Sequence, residues 1–389
     1  MKTLKRILAA TTLLVTLGFA SEANAQVPLE NFFKNPEKAG YQISPDGKYF
    51  SYMAPYENRL NLFVQEVGSD KATRITSETV RDLAGSMWAN GHRILYIKDT
   101  AGDENFQLYG VNVDGTDSKA YTAFPKVRTT IIDPLENIDS LVIIGLNKRN
   151  PQVFDPYRLN LNTGELTQLA ENPGNIQGWM TDHDGKLRVA LAIVDGVNTQ
   201  ILYRETEEQP FRPVLTTNFK ETVNFATFTP DNKMVYALTN IGRDKTALVL
   251  MDPATCEEKE VLYTNDKYDI SGLGYSELKK KLTSVSCTGH KGTIRHYFDK
   301  NEEAIRTKLE QKLEGYDINT TSEDKSENIR IIYAGGDRTY GTYYTYNVKE
   351  DKLTKIADLA PWIKEEDMVP MHPRKAPPLW MDTKTPALV

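Results

Sequence analysis

Apolar and polar side chains alternate along this chain in short bursts. Tyr157, Leu159 and Leu161 fall on one parity and Arg158, Asn160 and Asn162 on the other, the period of two of a strand with one buried face. Just upstream, Leu141-Val142-Ile143-Ile144 is continuously apolar, as suits a strand covered on both faces. A hairpin turn at Asn162-Thr163-Gly164-Glu165 leads into the segment 166–169, and similar turns stand at Asp114-Gly115 and Lys349-Glu350-Asp351. Further short strands are predicted at 129–132, 223–228 and 316–320.

The same unit recurs. Ser44-Pro45-Asp46-Gly47 is a tight turn that opens into an apolar strand from residue 49 and then a second strand over 60–67; Asp caps its own backbone there and Gly takes positive φ without steric cost. The turn residues Asp46, Asn90, Asn137, Asp184, Asp231, Glu277 and Glu327 follow one another at 44, 47, 47, 47, 46 and 50 residues. Seven copies of several short strands, at a period of about 40–50 residues, predict an all-β, seven-bladed β-propeller with four strands per blade. A single four-stranded sheet cannot cover both its faces, whereas stacking it radially between two neighbours does so. A β-sandwich would not explain the constant spacing.

The sixth copy is irregular. After a strand at 293–298, residues 301–313 read as a short inserted helix with Ala304, Leu309 and Leu313 on the apolar face and Glu302, Glu303, Lys308, Glu310 and Lys312 solvated. An inserted connection covering a blade edge is preferred over a partner-docking helix, since charged amphipathic helices are usually plain surface. The organisation expected is a signal peptide over 1–25, a lead-in over 26–41, the propeller over 42–360 and an irregular tail over 361–389. Within the tail, Pro361-Trp362-Ile363 is a short apolar patch, and the Pro-rich text from 374 onward has no period.

Composition changes this picture little. Forty per cent hydrophobic and 26% charged residues are ordinary for a globular chain. The net charge of −6 offers no basic face to nucleic acid or anionic lipid. Cys256 and Cys287 are the only cysteines, too few for a disulfide framework. Lys2, Lys5 and Arg6 precede an apolar run over 7–20, and Ala23-Asn24-Ala25 fits a small-x-small cleavage site between Ala25 and Gln26. That run is short of the roughly 18 apolar residues a membrane span needs. The chain is therefore expected to be exported, periplasmic or extracellular, without a membrane span.

Candidate chemistry is sparse. No G-x-S-x-G elbow is present: Gly85-Ser86 runs into Met87, and Gly274-Tyr275-Ser276 into Glu277. None of His92, His183, His290, His296 and His372 has a base or nucleophile partner implied by spacing. Asp182-His183-Asp184-Gly185 has the look of a calcium loop, but the later acidic ligands and closing Glu are missing, so it reads as a turn. His290 and His296 flank a strand without a third ligand. Tyr340, Tyr343, Tyr344 and Tyr346 suit a packed blade, since Tyr favours strands. No catalytic residue, metal ligand or cofactor site is assigned.

Several of these residues resemble the prolyl oligopeptidase family, most nearly its exported dipeptidyl peptidase and acylaminoacyl peptidase branch. They are Ser44-Pro45-Asp46-Gly47 with the Asn61-Leu62 strand, Gly178-Trp179 with Asp182, Gly185 and Arg188, and Gly289 through His296-Tyr297-Phe298 with its following helix. The resemblance runs over 32–373 and implies an N-terminal propeller that admits small or unfolded peptides to a C-terminal α/β-hydrolase domain. It also implies that blades one and seven share no strand. The text after Pro373 does not resemble the family, so no catalytic residue carries over. Two expectations follow: a non-catalytic propeller portion of such a peptidase, severed by truncation or frameshift, or a free-standing TolB-type periplasmic propeller holding a peptide or protein on its face. Without its hydrolase domain, the chain is expected to expose apolar surface near Pro361-Trp362-Ile363.

Overall fold

Each burst of alternating text becomes an antiparallel strand, and the strands gather into seven separate sheets in chain order. The computed structural model describes residues 27–289 and 292–371. Blades one to seven span residues 39–74, 85–120, 129–168, 176–217, 223–263, 270–297 and 317–358. The seven-bladed propeller with four strands per blade is the architecture found; blade six departs from the rule with three strands followed by a helix. The first strand starts at Ala39, inside the stretch read as lead-in. The signal peptide with its Ala25–Gln26 junction, His290, and the tail from His372 onward lie outside the described residues.

Apolar clusters sit where neighbouring blades meet. Leu62 and Val64 of blade one pack with Ile94, Tyr96 and Val111 of blade two, and Leu95 and Leu108 of blade two with Val142, Ile144 and Leu159 of blade three. Val189 and Ile201 of blade four meet Val235 and Val249 of blade five, and Leu238 and Leu248 of blade five meet Ile270 and Val285 of blade six. This explains the continuous apolar run at Leu141–Ile144: Val142 and Ile144 face blade two while Ile143 is equally buried.

The ring closes between blades seven and one without a shared strand. Ile331 packs among Tyr41, Ile43, Phe50 and Tyr52, and the Tyr41 and Tyr343 rings lie 5.4 Å apart. The Ile43 amide donates to Ser322 Oγ at 3.1 Å, and the Lys325 amide to the Pro45 carbonyl at 2.9 Å.

Helix α1 (Leu29–Phe33) precedes blade one, and helix α2 (Lys300–Lys312) joins blades six and seven. The apolar side of α2 is Ile305, Leu309 and Leu313, packed on Ile318, Ile332 and Tyr346 of blade seven. Ala304, expected on that side, is exposed, one residue off the i, i+4, i+8 line. Glu302, expected in solvent, is nearly buried and bonds Arg330 at 2.7 and 3.0 Å. The helix therefore covers the face of blade seven, whereas the reading above put it on a blade edge. No described helix is long and apolar enough to cross a membrane.

Strands alternate in direction, so the chain enters blade one and leaves blade seven at the same end of the ring. There Tyr340 donates to the Phe32 carbonyl at 2.8 Å, the Trp362 indole donates to the Asn31 carbonyl at 2.9 Å, and Lys34 Nζ lies 4.2 Å from the Trp362 ring. Trp362 is thus spent on fastening α1, and Ile363 beside it is buried rather than exposed. The exposed apolar side chains of the entry and exit segments are Leu29, Phe33, Val369 and Met371 instead.

The turn between the first two strands of blade four carries the most buried ion pair of the turns. Asp182 Oδ1 accepts the amides of Asp184 and Lys186 at 3.0 and 2.9 Å, while Oδ2 meets Arg188 Nη1 at 3.0 Å. Both side chains are almost fully buried. Asp182→Ala removes the buried partner of Arg188, leaving it the exposed Glu205 at 3.1 Å, and is expected to destabilise the protein by about 3 kcal/mol. Asp46→Ala, whose partner Lys48 is exposed, is expected to cost at most about 1 kcal/mol. Urea unfolding of both variants checks the difference; equal losses would show that the Asp182 pair does not hold the turn.

Candidate functional site

Seven turns, one from each blade, connect the first strand to the second, and all stand at the end of the ring opposite the chain's entry and exit. In each of them the side chain that opens the turn ties down later amides, Asn90 Oδ1 accepting from His92 at 3.1 Å and Asp133 Oδ1 from Leu135 at 2.8 Å in blades two and three. Ser44 Oγ accepts from Lys48 and Tyr49, Asp182 Oδ1 from Asp184 and Lys186, and Thr229 Oγ1 from Met234. Ser276 Oγ accepts from Lys279, and Asp324 Oδ1 from Asn328 and Ile329. These are the turns that the repeat landmarks mark, and fastening them from the first position frees the next residues to project over the channel.

First strands from all seven blades line two adjoining cavities of about 330 and 880 Å³, which merge around Pro134, Glu136, Asn137 and Glu277. Three contacts span this mouth. Asn137 Nδ2 donates to Glu277 Oε2 at 3.0 Å, from blade three to blade six. Lys325 Nζ reaches Asp139 Oδ1 at 2.8 Å, from blade seven to blade three. The His183 ring stacks on Tyr275 at 5.5 Å, from blade four to blade six, with Nδ1 3.8 Å from Glu277 Oε1. Around the rim, Asn232 donates to Asp184 at 2.9 Å and Asn90 to the Asp139 carbonyl at 3.2 Å.

The mouth is acidic. Glu136 and Glu323 are exposed, but both stand in the concave opening, whose walls take part of their water. That partial desolvation, with the carboxylates of Glu277 and Asp133, pushes the Glu136 carboxyl above the usual range, while Lys325 pulls the other way. It raises Glu323 in the same direction, against the pull of Arg330. Chemically, such an opening attracts a cationic group, and the bonds that narrow it are solvent-exposed and individually weak.

The residues singled out in the sequence fall in different places. His183 is at the mouth, its Nε2 2.9 Å from the Phe228 carbonyl. His92 sits in the blade two turn, where its carbonyl accepts from Val113. His296 stacks on Tyr263 at 4.6 Å on the outside of blade six. Asp182 is fully used by its turn and by Arg188. Of the tyrosine run, Tyr343, Tyr344 and Tyr346 are blade packing, whereas Tyr340 is exposed and fastens α1; Tyr346 is buried and donates to Asp351 at 2.7 Å, and burial with that carboxylate pushes its phenol up to about 12. Both cysteines are free thiols, and burial pushes Cys256 up to about 11. Glu136, Asp139, Asn232 and Lys325 were not singled out. Aligning the seven copies on their turn landmarks would have collected them, since each lies within two residues of one.

No family model matches the chain. It is 28% identical over 353 residues to "Dipeptidyl aminopeptidase BIII" of Pseudoxanthomonas mexicana, covering 88% of this chain and 50% of that protein. It is 27% identical over 355 residues to "Dipeptidyl peptidase family member 6" of Caenorhabditis elegans, covering 85% and 47%. The chain thus spans about half the length of the curated relatives it matches. Among solved structures, a prolyl endopeptidase superposes with a TM-score of 0.58 at 12% identity, over 90% of this chain and 55% of that one. Prolyl oligopeptidase B of Galerina marginata gives 0.55 at 12% identity, over 87% and 53%.

The chain resembles the propeller portion of prolyl oligopeptidase family peptidases. That portion carries the mouth described above, and its raised carboxyl has a consequence for stability. A carboxyl whose pKa rises on folding favours the fold while protonated in both states, and loses that advantage as pH climbs through the raised value. Glu136→Gln is therefore expected to melt with wild type at about pH 4 and above it at pH 8. Scanning calorimetry across that range checks this, and a variant less stable at pH 8 would show Glu136 to be held by favourable contacts instead.

Proposed function

We propose that this chain is the substrate-admitting propeller of an exported peptidase of the prolyl oligopeptidase family, and that it selects peptides without cleaving them. The observation that carries this reading is the match itself: it fills most of this chain but only half of each dipeptidyl peptidase relative. The G-x-S-x-G elbow is missing from the sequence, and Ser276, the serine nearest that pattern, donates to Glu327 rather than to a base. The acidic mouth suits the amino terminus of an incoming peptide, and its width depends on exposed bonds that an unstructured chain can part and a folded domain cannot follow. Leu29, Phe33, Val369 and Met371, at the opposite end, supply apolar surface for a catalytic partner domain.

A second reading, a free-standing propeller that holds a peptide or protein in the same mouth, is favoured by the closure of the ring: blades one and seven pack directly on one another through Tyr41, Ile43 and Ile331. Both readings exclude turnover. The purified protein is expected to release no nitroaniline from dipeptidyl p-nitroanilides, yet to bind a fluorescein-labelled unstructured dodecapeptide with an affinity that falls about tenfold from 50 to 500 mM salt. Release that a serine-directed inhibitor blocks would overturn the proposal. Equal binding of peptides with free and acetylated amino termini would remove the role given to the acidic mouth.

A further inference from the structure

Blade six ends one strand early. Six sheets have four strands, whereas this one stops at its third, Gly292–Tyr297. That strand pairs only with Lys281–Gly289, in unbroken register. The Phe298 amide donates to the Thr283 carbonyl at 2.9 Å, which sets the alternation: residues 294 and 296 bond inward, and Thr293, Arg295 and Tyr297 turn their N–H and C=O groups outward. Among the described residues no backbone bond meets those outward groups. Natural sheets guard such an edge with Lys, Pro, a bulge or a covering helix. Here none is on the strand, and the nearby helix α2 spends its apolar side on blade seven.

The surroundings of the edge specify what fits. On the face toward blade five, Ile294 is 44% exposed and Phe298 38%, an apolar strip beside the stacked His296 and Tyr263. On the other face a groove of about 470 Å³ runs between the strand and α2. In it Arg306 is satisfied by Glu310 at 2.7 Å and by the Ile318 carbonyl, but Arg295 has no ion pair among the described residues. Asp317 marks the hairpin end, its Oδ1 3.9 Å from where a side chain on Gly292 would begin, and Glu314 lines the same groove.

We propose that this edge accepts an extended segment of a partner polypeptide as the fourth strand of blade six. The segment runs antiparallel like every other strand pair of the ring. It places apolar residues against Ile294 and His296, an acid opposite Arg295, and a base two residues later opposite Thr293, toward Asp317. Main-chain bonds supply the affinity and the alternate side chains the selectivity. The site lies outside the channel and does not rest on the reading of the mouth.

The probe is the acetylated, amidated peptide Ser-Val-Glu-Val-Lys-Val-Ser, titrated into the full chain. Binding is expected, with slowed amide exchange at Thr293, Arg295 and Tyr297. N-methylation of the Glu and Lys amides, or exchange of the Glu and Lys positions, is expected to weaken binding at least about tenfold. Arg295→Glu should lose the probe to a similar extent and gain affinity for Ser-Val-Lys-Val-Lys-Val-Ser. No binding at millimolar peptide, or equal binding of the N-methylated form, would overturn the proposal. So would protection of the same amides, without peptide, in a concentration-dependent dimer, which would assign the edge to a second copy of this chain.

Discussion

Everything in this molecule follows from the need to cover both faces of small twisted sheets. A four-stranded sheet of this length offers apolar side chains on both sides, and neither side finds cover within the blade. Clusters such as Leu62 with Ile94, Val142 with Leu95, and Val235 with Val189 therefore form between blades, not inside them. Seven such blades must come round to meet. Where they do, the seam is made by side-chain packing around Tyr41 and Ile331 and by two bonds to backbone groups, with no strand exchanged. Parting that seam would cost side-chain packing and those two bonds without tearing a strand from a sheet.

Ring closure also makes the channel mouth. Each first-to-second turn is fixed locally, by Ser44, Asp182, Thr229 or their counterparts, but its position opposite another turn is fixed by the closure of the whole circle. Asn137 and Glu277, 140 residues apart, bond only because blades three and six face one another across the axis. The two ends of the ring consequently differ in kind. One is stitched by Trp362 and Tyr340 to the entering chain. The other is spanned by exposed polar contacts that compete with water.

The same division decides what could be read from sequence. The turns and strands were legible because their causes are local: Gly47 takes φ of 73° and Gly185 of 72°, and the hairpin read at 162–165 pairs Tyr157 with Gln168 and Leu159 with Leu166. The helix was legible in position. Its orientation was legible too, since Ile305, Leu309 and Leu313 stand four residues apart on one side, and taking Ala304 in place of Ile305 missed that line. The burial of Glu302 was hidden, since its partner Arg330 belongs to the next blade. The expected exposure of Trp362 failed because the α1 segment it binds is more than three hundred residues upstream. The mouth was illegible residue by residue, although the landmarks pointed at its location.

Blade six shows how far the ring tolerates departure from its own rule. The outer part of its seam with blade seven is filled by α2 rather than by a fourth strand, and a helix has no ladder bonds to hold it in register. Electrostatics supplies the register instead. Asp299 caps the helix by accepting from the Asn301 amide at 2.9 Å. The Lys281 ammonium, with that amide and Lys279, holds its carboxyl down at about 2. Lys279 reaches Glu302 at 3.0 Å and Glu327 at 3.4 Å, and Glu302 continues to Arg330. One chain of charges thus runs from blade six through the first turn of the helix into blade seven, placing Leu309 and Leu313 over Ile332 and Tyr346. The substitution covers the apolar face of blade seven, which a strand there would also have done. It leaves the hydrogen-bonding edge of blade six uncovered, because a helix has no free main-chain groups along its length to offer a strand.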